Sequence, residues 1–558
     1  MKRWFVTNKK LLARLFVIGV VAFGALTVSF TMADTDYFFN INKSIDIFGR
    51  IYKEVTLNYV DQVDPEKFME SGIDGLLESL DPYTNFINET EGDEVELITT
   101  GTYGGIGVTI GSRDNYITVL SLMEGYSAQR EGILPGDRIL EIDGKSMIGV
   151  KAEQVRALTR GEPGTQTHLK IQREGEKEPL TFTLTREQIQ LKNVTYTAYV
   201  DSGIGYIKLE HFSQTAGNEV RLAIQDLKLR GQLNGLILDL RGNPGGLLDA
   251  AVEVVEKFVP KGSLIVSTRG RKPESEKKYF SEEDPLLPNV PLVVLVDHNS
   301  ASASEIVAGA LQDLDRAVIM GTRSFGKGLV QTVVPLSYNT QLKITTAKYY
   351  TPSGRCIQEI DYSHRDGDGF SAPIPDSVHN KFKTSNGRTV YEHGGITPDS
   401  VIELPVPSTI NRELTRTLMY FKFATTYVSE HKNDGDTFAA NDVLFDDFKR
   451  YLKEQDFTYQ EDGEKKLDEL TQIADKSNYG SEVREEIDRL RTELVKERAG
   501  SLDKYKNEIL RALDIEIMSR YKAEHGRIAA EMQGDQQLQG AEGLFAQPPM
   551  FKRLIGGK

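Results

Sequence analysis

The stretch Val293-Val294-Leu295-Val296-Asp297-His298-Asn299-Ser300-Ala301-Ser302-Ala303-Ser304-Glu305-Ile306-Val307-Ala308 decides how this chain reads. Its first four residues have the composition of a strand buried on both faces, and a polar turn then leads into an apolar helix. Three serines therefore sit at a strand-to-helix junction, where the first backbone N–H groups have no partner inside the helix. Similar units lie on either side. Upstream, Leu236-Ile237-Leu238-Asp239-Leu240 is a second buried run, broken by Arg241-Gly242-Asn243-Pro244-Gly245-Gly246 before a helix starting near Leu248. Downstream, Ala317-Val318-Ile319-Met320-Gly321 is a third, followed by Arg323-Ser324-Phe325-Gly326-Lys327-Gly328-Leu329-Val330-Gln331, in which a lysine stands between glycines. Strands and helices in this order predict an α/β core with a mixed sheet over about residues 188–405.

Each piece alone has an ordinary explanation. Ser302 and Glu305 form an S-x-x-E capping box, which would do no more than satisfy amides at a helix start. Most lysines are solvated surface groups. His298 is close to Ser302 along the chain, but a catalytic triad is defined by spatial geometry that sequence proximity does not supply. Cys356, within Thr351-Pro352-Ser353-Gly354-Arg355-Cys356-Ile357-Gln358, is a weaker nucleophile candidate still. No H-E-x-x-H metal motif and no GxxxxGK[ST] phosphate loop occurs, so neither a metalloprotease nor an ATP-driven unfoldase is indicated; no metal and no cofactor is expected.

Before the core, Gly104-Gly105-Ile106-Gly107-Val108-Thr109-Ile110 is a glycine turn running into a strand, and Tyr116-Ile117-Thr118-Val119-Leu120 is a second strand. Ile133-Leu134-Pro135-Gly136-Asp137-Arg138-Ile139-Leu140-Glu141-Ile142-Asp143-Gly144 follows, then a helix near Ala152 to Thr159 and two strands ending near Thr185. This order resembles a PDZ domain, with Gly105, Ile106, Gly107 and Val108 at the carboxylate-binding loop and Ile133 in place of the leucine of LxPGDxIxxxxG. In that family a peptide adds as a strand and backbone N–H groups hold its terminal carboxylate.

Together, LDLRGNPGG from Leu238, SASASEIVAGALQD from Ser300 and FGKGLVQ from Phe325 resemble the carboxyl-terminal processing, or tail-specific, proteases, serine peptidases with an inserted PDZ domain. The resemblance covers about residues 36–405 and implies a ClpP/crotonase-like protease core. By position it implies Ser302 as nucleophile, Lys327 as general base, Gln331 as the group orienting the lysine if that segment is helical, and an oxyanion hole of the Ala303 amide with Gly245 or Gly246. Ser300 and Ser304 read as turn and cap residues. A lysine with a reference pKa of about 10.4 must be desolvated to act as a base at neutral pH, and burial shifts such groups by up to about 3–5 units. The competing reading is a non-catalytic PDZ scaffold on a protease-like fold.

Lys2, Arg3, Lys9, Lys10 and Arg14 precede an uncharged stretch from Leu15 to Ala33, which predicts an export segment, either a cleaved signal peptide or an uncleaved anchor. The protein is then expected in the cell envelope, on the periplasmic side of the inner membrane, touching the membrane only through that segment. Residues 34–98 read as a helical lead-in, with Ile41, Ile45, Phe48, Tyr52 and Val55 at helical spacing and a stop at Asp81-Pro82. Beyond residue 405, Leu414, Leu418, Phe421 and Phe423 and a charged, periodic stretch from Ser481 to Met532 predict a helical C-terminal domain, a candidate surface for self-association or an adaptor. From Gly534 the mixture of Gln, Gly and Pro predicts a mobile end.

The chain of 558 residues is too long for one core, and its net charge of -15 offers no field for nucleic acid. A single cysteine excludes an intrachain disulfide. The architecture expected is multi-domain α/β plus α: export segment at 1–33, helical domain at 34–98, PDZ domain at 99–187, protease core at 188–405 and helical domain at 406–558. The expected partners are protein or peptide substrates with free C-termini.

Overall fold

The computed structural model describes residues 37–89, 92, 97, 99–113, 115–201, 203–365, 371–373, 380–431, 435 and 437–557. The predicted export segment lies outside them. The chain divides into two compact units, residues 1–86 and 87–558.

In the first unit a helix over 37–58 precedes helix Pro65–Glu78. Asp64 caps the second helix by accepting from the amides of Glu66 and Lys67, and Tyr52 stacks on Phe68 with ring centroids 5.8 Å apart. Asp81 then accepts from the amides of Tyr83 and Thr84, which stops the helix where Asp81-Pro82 predicts. The region is not helical throughout: Asn85–Ile87 is a short strand.

The second unit opens with the predicted PDZ module. Its sheet runs in the order Val108–Arg113, Tyr116–Leu122, Arg138–Ile142, Gln166–Gln172, Leu180–Thr185, with helix Ala152–Thr159 against it and Thr102–Gly105 paired to Glu187–Gln190. Ile110, Ile117, Val119, Ile133, Ile139 and Leu169 make its core. The Pro-Gly-Asp turn is fastened by Asp137, buried, whose carboxylate takes the Leu134 amide (2.8 Å) and Arg173 through Nε and Nη2 (2.8 and 2.7 Å).

The predicted protease core is a six-stranded sheet ordered Val194–Asp201, Ile204–Leu209, Gly235–Asp239, Leu292–Val296, Val318–Gly321, Ser400–Val401; its first pair is antiparallel and the others are parallel. Strand parity divides its side chains between two cores. Leu236, Leu238, Leu292, Val294 and Ile319 face helices Ala216–Arg230, Leu248–Glu256 and Ala303–Asp313. Ile237, Val293, Leu295, Val318 and Met320 face the opposite way, against Leu538, Ala541, Leu544 and Phe551. That second cover corrects the expectation of a mobile end: helices Gln536–Phe545 and Pro548–Leu554 form from Gly534 onward because a fully apolar sheet face needs burying. A smaller sheet hairpins Leu329–Pro335 with Gln341–Tyr350, which pairs in turn with Leu264–Gly270 and that with Lys277–Phe280.

The helical domain contains helices Thr409–Arg416, Met419–Glu430, Asp442–Glu454, Asp462–Lys476, Ser481–Ala499, Lys506–Tyr521 and Ala523–Met532. Ile410, Leu414, Phe423, Phe448, Ile509 and Leu513 are buried at its centre. Among the described residues no helix is long and apolar enough to cross a membrane, and no cluster of acidic, histidine or cysteine side chains has metal-binding geometry.

Candidate active site

Ser302 is the N-cap of helix Ala303–Asp313 and adopts φ 55°, ψ −111°. A side-chain-bearing residue occupies that region only at a cost of about 1–3 kcal/mol, so the surroundings must impose it. Its carbonyl accepts from the Glu305 and Ile306 amides, each at 2.9 Å, and its own N–H donates to Glu305 Oε2 at 2.8 Å. The flanking serines are both fully buried and both occupied: Ser300 Oγ donates to the Leu240 carbonyl and Ser304 Oγ to the Asn243 carbonyl, each at 2.9 Å. Of the three, Ser302 alone is half-exposed, whereas His298 lies exposed on the turn.

The turn at 243–246 lies directly against the serine. Asn243 anchors it, its Nδ2 donating to the Leu209 carbonyl and its Oδ1 accepting the Gly245 amide, each at 2.8 Å. Gly245 has φ +100°, and a Cβ there would lie 2.7 Å from the Ala301 carbonyl oxygen and 2.9 Å from the Ala303 nitrogen. No other residue fits. Gly246 is bridged to Phe212 in a parallel β-bridge. Ala303, the first residue of the helix, has an amide without a partner inside the helix.

The backbones of Lys327 and Ser302 are tied to each other through two side chains. Glu305, fully buried, accepts the Lys327 and Ser302 amides on Oε2 (2.9 and 2.8 Å) and the Gly326 amide and Ser324 hydroxyl on Oε1 (2.7 and 2.6 Å). Burial pushes its carboxyl up to about 7, against the pull of those four donors. On the opposite side, the Tyr349 hydroxyl lies 2.5 Å from the Lys327 carbonyl oxygen and 3.1 Å from that of Ser302. The glycines beside the lysine answer to close packing: a Cβ at Gly326 or Gly328 would come within 2.6–2.8 Å of Glu359 and Gln358.

Gln331 departs from its expected setting. The segment is strand Leu329–Pro335, not a helix, because the chain leaves the lysine turn directly into the hairpin, and Gln331 Nε2 donates to Thr345 Oγ1 across it at 3.2 Å. Glu305 and Tyr349 are the residues that sequence reasoning missed. An acid among the apolar residues of a helix start was a signal for the first; for Tyr349, at the end of a strand, there was none.

In the PDZ module, Gly105, Ile106, Gly107 and Val108 line a cavity of about 410 Å³ together with Arg156 and Thr159 of the helix. Gly107 has φ +79°, and a Cβ there would meet Tyr126 Cβ at 2.6 Å. The Ile106 and Gly107 carbonyls accept from Ala128 and Met123 amides, which fixes the loop, and the Ile106 side chain belongs to the module's core.

Residues 203–363 match the model of peptidase family S41, 118–173 that of the PDZ domain, and 410–545 that of the probable PDZ-protease C-terminal helical domain. A carboxy-terminal-processing protease of Bartonella bacilliformis is 38% identical over 395 residues, covering 70% of this chain and 82% of that one. The carboxy-terminal processing protease CtpB of Bacillus subtilis is 33% identical over 57% of this chain and 66% of its own. Among solved structures, the photosystem II D1 C-terminal processing protease is 27% identical, covers 64% of this chain and 92% of that chain, and has a TM-score of 0.34. With the Bartonella relative 38% identical and covered over 82% of its length, and with PDZ module, S41 core and helical domain in this order, the chain belongs to the carboxy-terminal processing protease family of serine-type peptidases.

Proposed function

We propose that this peptidase cleaves with Ser302 as nucleophile and Lys327, as the neutral amine, as general base. The observation that carries the reading is the double tie between the two residues: Glu305 holds both amides and Tyr349 faces both carbonyls, about a serine whose backbone is strained. The Ser302 hydroxyl attacks the scissile carbonyl carbon while its proton passes to the Lys327 amine. The oxyanion forms beside the Ala303 amide and a glycine amide, and Gly246 is favoured over Gly245 because the Gly245 N–H is held by Asn243. Collapse transfers the proton to the leaving amine, and water then releases the acyl group by the same route. Gln331, carried on the strand after the lysine turn, is held to Thr345 across the hairpin.

Substrates are polypeptides whose free C-terminus enters the PDZ cavity at loop 105–108, adding as a strand beside Val108–Arg113. The basic leader followed by an uncharged stretch supports action in the cell envelope. The deciding experiment incubates the full chain with an unstructured protein, alongside folded Ser302→Ala and Lys327→Arg. Both variants should be inactive, since arginine does not deprotonate. Turnover by Ser302→Ala would remove the nucleophile assignment, and turnover by Lys327→Arg the base.

A further inference from the structure

The strand leading to the catalytic turn ends in an arginine that is held from the far end of the chain. Arg241 follows strand Gly235–Asp239 and stands immediately before the turn at 242–246. Its guanidinium is shared between two carboxylates: Nη2 lies 2.6 Å from Asp239 Oδ2 and 2.7 Å from Asp535 Oδ2. Nη1 donates to Gln537 Oε1 at 3.0 Å, and Gln537, fully buried, donates onward to the Ile402 carbonyl at 2.8 Å. The backbone is held in the same place, since Lys208 Nζ donates to the Arg241 carbonyl at 2.6 Å and the Gly242 amide donates to Asp297 at 2.9 Å.

Asp535 has two tasks. Its Oδ1 caps helix Gln536–Phe545 by accepting the Gln537 and Leu538 amides, and its Oδ2 meets Arg241. The helix it caps lays Leu538, Ala541 and Leu544 on the sheet face formed by Ile237, Val293 and Leu295. The cluster is strongly ionic: burial opposes a charge on Asp239, but Lys208 and Arg241 outweigh it and hold that carboxyl well below the usual range. An arginine buried between two acids cannot relax into water when one is lost, so the chain around it must shift.

We propose that Asp535 is a positioning residue for the catalytic turn: holding Arg241 from the C-terminal segment, it fixes the turn at 243–246 against Ser302. The active site is then complete only when residues 535–557 are folded onto the sheet. The inference rests on the reading of Ser302 as nucleophile and of that turn as part of the oxyanion site.

Asp535→Ser tests it in the full chain, because serine retains a helix cap while removing the charge that meets Arg241. With an internally quenched peptide, kcat should fall roughly 10- to 100-fold, the scale expected when a catalytic group is misplaced by about 1 Å. KM should stay within about twofold, while affinity for a peptide boronate, which mimics the tetrahedral state, falls with kcat. Arg241→Gln should lose as much, and combining it with Asp535→Ser should cost little more, as for residues acting through one contact. Gln536→Ala, exposed on the same first turn, is the control. If Asp535→Ser does not fold, Gln537→Met, which removes only the neutral bridge, decides, with a smaller loss in the same direction expected. Wild-type kcat in a folded variant, alongside an inactive Ser302→Ala, overturns this inference alone; an active Ser302→Ala overturns the reading beneath it.

Discussion

The turn at Ser302 and the loop at 105–108, the two segments proposed to present backbone to a substrate, are held by different means. At Ser302 the backbone is fastened by side chains that also reach other elements: Glu305, three residues on, holds the Lys327 amide as well, Tyr349 comes from the hairpin, and Asn243 holds Gly245 of the facing turn. At the PDZ loop the fastening stays within the module, through backbone bonds to Ala128 and Met123 and a glycine pressed on Tyr126. Catalysis needs several groups fixed relative to one another, whereas capture of a carboxylate needs one loop of the right shape. Changes at the first site should therefore act on kcat, and changes at the second on KM.

The largest effect expected is at Gly245. Gly245→Ala would put a methyl 2.7 Å from the Ala301 carbonyl oxygen at a positive φ, forcing turn and serine apart. A loss in kcat of roughly 10²–10³, comparable to removal of an oxyanion donor, is expected with the fold retained by circular dichroism. Near-normal kcat would show that the turn does not bear on the reaction.

Glu305→Gln comes next, and pH gives it a signature. The carboxylate accepts four donors, and an amide in its place turns an N–H₂ toward some of them, so kcat should drop at least about tenfold. With its carboxyl pushed up to about 7, Glu305 binds a proton more tightly in the folded than in the unfolded chain. Its contribution to stability therefore falls as pH rises from about 4.5 to about 7 and is flat above. The activity that depends on its ionised form rises over the upper part of the same range. Thermal melts and pH–rate profiles of the wild type and the variant should differ in both respects, and matching profiles would confine Glu305 to a packing role.

How much of this was legible in the sequence follows the same division. The apolar runs at 236–240 and 293–296 and the glycines at 245 and 107 are local signals, and each corresponds to an element of the structure. The network was not legible. Glu305 reads as a helix cap because its second pair of donors lies beyond a whole strand, and Asp535 meets Arg241 across most of the chain. The C-terminal helices were misread because Gln, Gly and Pro recur from Gly534 to Pro549, although Leu538, Ala541 and Leu544 keep helical spacing.

Gly107→Ala acts on the other side of the comparison. The added methyl would meet Tyr126 at 2.6 Å with φ +79°, deforming the loop while leaving the Ser302 turn untouched. For a protein substrate with a free C-terminus KM should rise about tenfold, and the same rise should appear for the wild type when the substrate ends in an amide. Equal KM for free and amidated substrates in the wild type would mean that the loop does not read the terminus.

Tyr349→Phe should give the smallest change, because it removes one oxygen and leaves the ring, almost wholly buried, in place. The two carbonyls it faces are unequally dependent on it. The Ser302 carbonyl also accepts from the Glu305 and Ile306 amides and keeps the start of its helix without the tyrosine. The Lys327 carbonyl is the nearer of the two, 2.5 Å from the hydroxyl against 3.1 Å, so the lysine turn takes most of the loss. A hydrogen bond of this kind contributes about 0.5–1.5 kcal/mol, or roughly 2- to 12-fold if all of it were expressed in the transition state. The variant should therefore lose a few-fold in kcat with KM unchanged, and combining it with Glu305→Gln should cost more than the product of the two, since each would remove the tie that remains. Independent, multiplicative losses would show that the two sides of the bracket hold different things, and the account of the catalytic turn as one fastened unit would have to be divided.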